Sequence, residues 1–491
     1  MSQHKLLVPV LAISFLFGCG NTVDNGKAGA NVGQQGQGDP NAASGTPGSS
    51  GSQVNTTPVS IDLNGAFGAA GASNAAGACK GLECQQKACA AGATTTISGR
   101  VFDPSGALPL YNVMVYVPNA PLTPLTPGAT CACEVSGEPV ASALTDTNGR
   151  FSVKNAPVGS NIPLVIQIGK WRRQFTIPAV ADCAETAVPE ATLRLPARQS
   201  EGDMPRIALT TGEADALECL VRKLGIDPAE FTNPTGTGRI NYFGGHNGTN
   251  KYAPGVNGGV SFPRASSLWG KLETLKPYDV VLLSCEGGKY ANQKGAQAFQ
   301  AMQNYANLGG RVFASHWHEV WFTDGPAPFP TVAEFVSEPD IGTLTADVTT
   351  TFPKGQALAE WLVNVQASTT PGLIDLTAAQ YTVKKENPMV AQRWISSQTP
   401  QSVQYLSANT PFGAAPDKQC GRVVLSDIHV AGGREQGDLS DSSGSDVPFP
   451  TGCRTTGLTP QEKVLAFMLF DITACVIPDN VRPEAPAVII R

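Results

Sequence analysis

The sequence is poor in charged residues, and after residue 17 it contains no long hydrophobic run. Only 15% of its residues are Asp, Glu, Lys or Arg, and the formal net charge is −6. Nucleic-acid-binding proteins usually carry a basic surface, so this composition argues against nucleic acid as a partner. Because a transmembrane helix needs roughly 20 apolar residues, no segment beyond the N-terminus is expected to span a membrane.

The N-terminus carries one short apolar run, residues 6–17, which is too short to cross a bilayer and fits the hydrophobic region of a signal peptide. It ends in Leu16-Phe17-Gly18-Cys19, which resembles the bacterial lipobox. The resemblance implies that residues 1–19 are a lipoprotein signal segment and that Cys19 is lipidated. A lipid on Cys19 would anchor the chain to a membrane of the cell envelope. Gly20 after the cysteine favours the outer membrane or cell surface.

Twelve cysteines are scattered along the chain without repeated CxxC spacing. In an exported protein this pattern predicts disulfides, and the eleven cysteines left after Cys19 imply at least one thiol that is free or paired between chains. Cys79, Cys84 and Cys89 crowd the segment 77–93, which we expect to be stapled by disulfides.

Two segments have compositions that do not favour a packed core. Residues 20–76 are rich in Gly, Ser, Asn and Ala with few large apolar side chains, and they predict a flexible linker. Residues 477–491 contain several prolines and predict an extended tail.

Residues 94–200 show short alternating patterns typical of half-buried strands, at 94–102, 112–117, 163–168 and 174–177. Asn148-Gly149 predicts a hairpin turn, because this pair accepts the positive φ of a type I′ turn. Short strands at this spacing indicate a β-sandwich.

Three motifs in this region resemble the carboxypeptidase regulatory-like, transthyretin-like domain: residues 98–106, 112–117 and 145–151. The resemblance implies a non-catalytic sandwich module. An insertion at 121–139 adds Cys131 and Cys133, and we expect one of them to pair with Cys183. The run Lys170-Trp171-Arg172-Arg173 either presents a cation–aromatic surface to an anionic glycan or lipid headgroup, or protects a sheet edge.

Residues 203–476 alternate buried-strand and amphipathic-helix patterns, which indicates an α/β domain with a mostly parallel sheet. The strand patterns lie at 205–210, 279–283, 311–314 and 422–425, and the helix patterns at 213–224, 293–308 and 460–472. Thr459-Pro460-Gln461-Glu462 predicts a capping box that opens the last helix.

The stretches 278–283 and 309–316 are similar to class I glutamine amidotransferase-like domains of flavodoxin-like architecture, and closest to their trehalose-utilisation-type relatives. That family exposes a nucleophilic cysteine in a Gly-x-Cys-x-Gly elbow after such a strand. Here the elbow reads Phe313-Ala314-Ser315-His316-Trp317, which implies a degenerate domain. The order of all segments also resembles lipoproteins of myxobacteria, which implies no activity.

Three strand patterns end in polar residues: Ser284-Cys285-Glu286, Ser315-His316-Trp317-His318-Glu319 and Ser426-Asp427-Ile428-His429. Sites in open α/β sheets form at the carboxyl ends of strands. Three of the five histidines lie at these ends, so the sequence predicts a shared cluster.

This cluster has four interpretations. It can be a zinc site, with His316 and His318 pointing the same way on an extended chain and joined by His429 and by Glu286 or Asp427. It can be a hydrolase centre, with Ser315 or Cys285 activated by a histidine that Asp427 orients, although Cys285 can instead be bridged to Cys219. It can bind a polar ligand without chemistry, or its members can simply cap strands and satisfy one another.

The sequence therefore predicts a membrane-anchored, non-catalytic binding or scaffold lipoprotein of the envelope, with a glycan or an envelope protein as partner. The alternative is an envelope hydrolase, either metal-dependent or of the Ser/Cys–His type.

Overall fold

β-Sheets make up most of the fold. The structure is a computed structural model that describes residues 79–90, 92–430, 444–454 and 457–486. The predicted signal segment, the lipid site at Cys19 and the linker at 20–76 lie outside the described residues. Within the described part, no helix has both the length and the apolar character needed to cross a membrane.

The structure has twenty strands and seven α-helices among the described residues. The strands are β1 (Thr96–Phe102), β2 (Met114–Pro118), β3 (Pro139–Leu144), β4 (Arg150–Lys154), β5 (Gly159–Ile168), β6 (Trp171–Val180), β7 (Glu185–Ala187), β8 (Leu193–Arg194), β9 (Ile207–Thr210), β10 (Phe231–Thr232), β11 (Ile240–Phe243), β12 (Val280–Leu283), β13 (Arg311–Ser315), β14 (Ala333–Phe335), β15 (Gly342–Val348), β16 (Leu373–Ala379), β17 (Val383–Glu386), β18 (Gln392–Gln398), β19 (Gln401–Thr410) and β20 (Gly421–Ser426). The helices are α1 (Leu217–Lys223), α2 (Ser266–Trp269), α3 (Leu272–Leu275), α4 (Gly295–Asn307), α5 (Val320–Thr323), α6 (Pro353–Asn364) and α7 (Pro460–Thr473).

The first eight strands form two four-stranded sheets around shared apolar side chains. One sheet has the order β4-β1-β7 with β8 also paired to β1, and the other has the order β3-β2-β5-β6. Ile97 and Val101 of the first sheet and Val115 and Ile166 of the second are fully buried in one core. This is the layered arrangement that alternating strands favour.

The predicted hairpin at Asn148-Gly149 is wrong, although a turn does form there. β3 pairs with β2, whereas β4 pairs with β1, so the turn carries the chain from one sheet to the other. The turn is fixed locally because the Asp146 carboxylate accepts hydrogen bonds from the backbone N–H groups of Asn148 and Arg150, both at 2.8 Å.

Ten of the later strands build one mixed sheet with the order β10-β11-β9-β12-β13-β20-β19-β18-β15-β16, while β14 and β17 pair in a separate two-stranded sheet. The first six strands are parallel neighbours. The remaining four continue the sheet in antiparallel pairs. The four predicted strands correspond to β9, β12, β13 and β20 in the parallel part, whereas β10 and β11 were not predicted. The sheet is mixed because the region between α5 and β20 contributes an antiparallel extension.

The last helix, α7, begins as predicted. The Thr459 hydroxyl accepts a hydrogen bond from the N–H of Glu462, and the Glu462 carboxylate accepts one from the N–H of Thr459. This capping box satisfies two backbone donors that the first turn leaves open.

Five disulfides connect ten of the described cysteines: Cys79–Cys84, Cys89–Cys183, Cys131–Cys420, Cys133–Cys475 and Cys219–Cys453. Cys285 is free and buried. Five disulfide bonds indicate an extracellular or periplasmic protein, because disulfides persist in oxidising compartments.

Two expected pairings are wrong. Cys183 does not bond to the insertion, because it lies beside β1, where its N–H donates to the Thr95 hydroxyl at 3.0 Å. The insertion instead reaches the α/β part of the chain, where the N–H of Ala129 donates to the carbonyl of Lys276 at 2.9 Å. Cys219 pairs with Cys453 and leaves Cys285 unbridged.

The run Lys170-Trp171-Arg172-Arg173 does not form an exposed binding surface. It opens β6, the edge strand of its sheet, and the edge is covered at Arg172, which exchanges two backbone hydrogen bonds with Asp203. Trp171 and Arg172 are 2% and 3% exposed. Lys170 forms an ion pair with Asp279 and donates to the carbonyl of Gly128 at 2.6 Å. Lys170 therefore connects the sandwich to the start of β12, and Trp171 packs against Phe470 of α7.

We expect Cys285 to be the single free thiol of the described chain. In a Cys19→Ser protein, iodoacetamide should not label the native state, because Cys285 is fully buried and burial raises the pKa of its thiol. In denaturant, iodoacetamide should add one label per chain, and mass spectrometry should find this label on the peptide that contains Cys285.

The additional variant Cys285→Ser is the control and should take up no label in denaturant. Peptides linked as Cys131–Cys420 and Cys133–Cys475 should appear in an unreduced digest. Rapid labelling of the native protein, or linked peptides that join the insertion to Cys183, would contradict this pattern.

Candidate functional site

Three adjacent parallel strands end at the same edge of the large sheet, and the residues that follow them meet there. Leu283 of β12 is in register with Ala314 of β13, which is in register with Leu425 of β20. Cys285, His316 and His429 follow these three strands within a few residues. Their meeting thus follows from the parallel register.

The three side chains form a compact, dry cluster. Cys285, His316 and His429 are 0%, 3% and 5% exposed. The Cys285 Sγ lies 3.5 Å from the His316 Nδ1, and the ring centroids of His316 and His429 are 5.1 Å apart. One ligand atom from each of the three residues lies within 4.8 Å of the other two.

His316 has an unusual backbone conformation for a non-glycine residue, with φ at 42°. This left-handed conformation costs about 1–2 kcal/mol. It lets the chain turn directly from β13 into a 3-10 helix, His316–Glu319. The chain is therefore not extended here, and the expectation that His316 and His318 point the same way is wrong.

His318 has hydrogen-bonding partners of its own. Its Nε2 donates to the carbonyl of Ser284 at 2.9 Å, and its Nδ1 accepts from the indole N–H of Trp321 at 3.0 Å. Burial lowers the pKa of His318 to about 4, so the ring is neutral near pH 7. With both nitrogens engaged, the ring has no lone pair directed at a metal.

Glu286, the expected carboxylate ligand, pairs instead with a buried lysine. Its Oε2 lies 2.8 Å from the Lys294 Nζ, and its Oε1 accepts from the N–H of His246 at 2.9 Å. Burial alone would raise the pKa of the Glu286 carboxyl, but His318 and the Lys294 ammonium hold it below its usual value. The carboxylate is committed to an ion pair.

Ser315 and Asp427 are also engaged away from the histidines. The Ser315 hydroxyl donates to Asp215 at 2.7 Å. Asp427 accepts from the N–H and hydroxyl of Thr382 and from the N–H of Val383, at 2.7 to 3.1 Å. Among the contacts of the described residues, no serine–histidine–aspartate chain is assembled.

The cluster itself is an uncharged donor set. Burial, together with His429 and Lys289, lowers the pKa of His316 to about 2, and burial lowers that of His429 to about 3. Both imidazoles are neutral near pH 7, and the Cys285 thiol is protonated because burial raises its pKa. The Nε2 of His429 is fully buried and has no hydrogen-bond partner.

Two residues that support this edge are absent from the sequence interpretation. Asp215 accepts from Ser315 and from the N–H of Val430 at 3.0 Å, which ties the loop after β9 to the ends of β13 and β20. The role of Asp215 was missed because the predicted helix pattern, 213–224, includes it, whereas α1 begins only at Leu217. The role of Lys294 was missed because its partner is set by tertiary packing.

One separation within the cluster matches the spacing of ligands around a tetrahedral zinc ion. Zn–S and Zn–N bonds of about 2.3 and 2.0–2.1 Å place neighbouring ligand atoms roughly 3.3–3.6 Å apart. The Cys285–His316 separation of 3.5 Å already meets this value. A second group of potential ligands in the described chain, Cys89, Asp182 and Cys183, is excluded because its cysteines share a disulfide.

No protein-family model matches the sequence, and no curated protein matches it. Weak structural neighbours include a ThuA-like protein from Bacteroides uniformis, with 12% identity over 54% of this chain and 91% of that chain, at a TM-score of 0.28. A chain of a mutant type II cohesin–X-dockerin complex from Acetivibrio cellulolyticus matches 28% of this chain and 75% of its own, at 15% identity and a TM-score of 0.15. Neighbours this distant carry no functional argument.

We expect Lys294→Met to destabilise the protein by about 3–5 kcal/mol, because it leaves the buried Glu286 carboxylate without its ion-pair partner. Urea unfolding followed by circular dichroism measures the change. The double variant Lys294→Met/Glu286→Gln should recover most of the loss, since it removes both charges. Equal stability of the single and double variants would show that this ion pair is not the cause.

Proposed function

We propose that the protein is an exported, lipid-anchored binding protein of the bacterial envelope whose α/β region holds one Zn²⁺ ion between Cys285, His316 and His429. The observation that carries the proposal is the convergence of three metal-binding side chains in a dry interior, where the Nε2 of His429 lacks a partner. An unsatisfied buried polar atom costs about 1–3 kcal/mol. A bound ion would provide the missing partner.

The donor types support zinc among the common ions. Thiolate and imidazole are preferred by Zn²⁺ and by copper, whereas Mg²⁺ and Ca²⁺ take oxygen ligands. Binding would displace the proton of Cys285, since thiols coordinate as thiolates. Three protein ligands leave the fourth coordination position of a tetrahedral ion open, as in catalytic zinc sites. The burial of all three residues, each at most 5% exposed, nevertheless favours an ion that is held away from substrate.

We favour binding over hydrolysis for a second reason. A reactive cysteine is usually a thiolate in an electropositive, partly exposed setting. Cys285 is fully buried, and its thiol pKa is raised. The hydroxyl of Ser315 is already committed to Asp215. These features support an α/β region that lacks a reactive nucleophile, as expected for a degenerate amidotransferase-like domain.

The metal test uses purified Cys19→Ser protein and elemental analysis with calorimetric titration of Zn²⁺. We expect one ion per chain, and a loss of at least about 100-fold in affinity in His429→Ala, since even outer-shell changes cost 10–100-fold. Co²⁺ substitution should give a thiolate-to-cobalt charge-transfer band that Cys285→Ser lacks.

His246→Ala is the matched control, because His246 stacks on Tyr290 outside the cluster and should leave zinc affinity unchanged. Circular dichroism establishes that each variant is folded. Absence of bound zinc in the wild type, or equal affinity in the wild type and His429→Ala, would contradict the proposal. If the protein binds copper tightly and does not bind zinc, the proposed ion would be copper and not zinc.

The lipid anchor is tested separately. We expect the wild type to sediment with membranes and Cys19→Ser to become soluble, because acyl chains contribute about 0.8 kcal/mol per buried CH₂. Asn21→Ser is the control and should remain with the membranes. Retention of Cys19→Ser in the membrane fraction would argue against lipidation at this residue.

A further inference from the structure

A cleft of about 880 Å³ lies where the sandwich meets the helices of the α/β region. The sandwich contributes β1 and the loop that follows it, and the opposite wall comes from α1, the end of α6 and the start of α7. Its volume falls within the range of small-molecule sites, about 300–1,000 Å³. None of its residues belongs to the cluster of Cys285, His316 and His429.

The cleft is lined by five basic residues and by no Asp or Glu among the described residues: Arg100, Arg222, Lys223, Arg454 and Lys463. The chain as a whole carries a net charge of −6, so this concentration of positive charge is local. Clefts lined by one sign of charge focus the field and favour ligands of the opposite sign.

Three of these cations have interactions of their own. The Lys223 Nζ lies 2.6 Å from Glu462, and Arg100 lies 3.5 Å from Glu190, whose side chain is 70% exposed. Arg454 is also engaged. These interactions compensate part of the charge in the cleft.

Arg222 and Lys463 are different. Both are half-buried, and neither has a carboxylate partner within the described ranges. The Lys463 ammonium donates to the carbonyl of Val365 at 2.7 Å, and burial lowers its pKa. A half-buried cation with a neutral partner gains a stronger, charge-assisted hydrogen bond when an oxyanion arrives.

We propose that this junction cleft binds a small ligand with two oxyanion groups, phosphate or carboxylate, held by Arg222 and Lys463. The planar guanidinium of Arg222 can bind one oxyanion in a bidentate manner, and Lys463 can meet the second as a point charge. Phe102, Leu108 and Leu458 provide apolar wall for the body of the ligand.

The test is calorimetric titration of Cys19→Ser protein with two probes, inorganic pyrophosphate and digalacturonate, which separate phosphate from carboxylate chemistry. We expect at least one probe to bind with a dissociation constant below about 1 mM and to weaken as salt rises. Arg222→Gln and Lys463→Gln should each weaken binding by about tenfold or more. Arg222→Lys should retain part of the affinity.

Arg264→Gln and Lys271→Gln are matched controls, since both residues are exposed and lie outside the cleft. Their affinities should equal that of the wild type. The proposal is overturned if neither probe binds below about 1 mM, or if the cleft variants, shown to be folded by circular dichroism, bind as tightly as the controls.

Discussion

The burial of one helix, α7, ties the separate layers of this molecule together. Twelve of its fourteen residues are buried, so it needs cover on every side. Phe467 packs against Tyr111 of the sandwich, Trp361 of α6 and Trp394 of β18. Because sandwich and sheet cover the same helix, the sandwich is built into the core, and the basic cleft at their junction is a consequence of that shared packing.

Strong local patterns made four of the ten strands of the large sheet, and the last helix, predictable. β9, β12 and β20 are wholly buried, and so is β13 after Arg311, so each contains a short continuous run of apolar residues. The antiparallel extension was missed although β15 alternates exposed with buried or half-buried residues, because the expected alternation of strands and helices left no place for adjacent antiparallel strands. The turn at Asn148-Gly149 shows a related limit, because a local hydrogen-bond pattern fixes a turn but not which strands it joins.

The candidate site was predictable where it depended on topology. Strand-end reasoning brought His316 and His429 together, since parallel strands in register end at one edge. It failed where local geometry or distant pairing decided the outcome. The chain forms a 3-10 helix from His316, which brings His318 against Trp321. Cys219 pairs with Cys453, which leaves Cys285 as a free thiol. Neither event has a signature in the neighbouring sequence.

The cysteine pairing constrains the order in which the chain can mature. Cys131 and Cys133 bond to residues 289 and 342 positions further along. A chain that emerges from a translocon amino-terminus first therefore presents both thiols long before their partners arrive. Joining cysteines in order of emergence would link Cys89 to Cys131, so the native pattern is expected to require an isomerase as well as an oxidant.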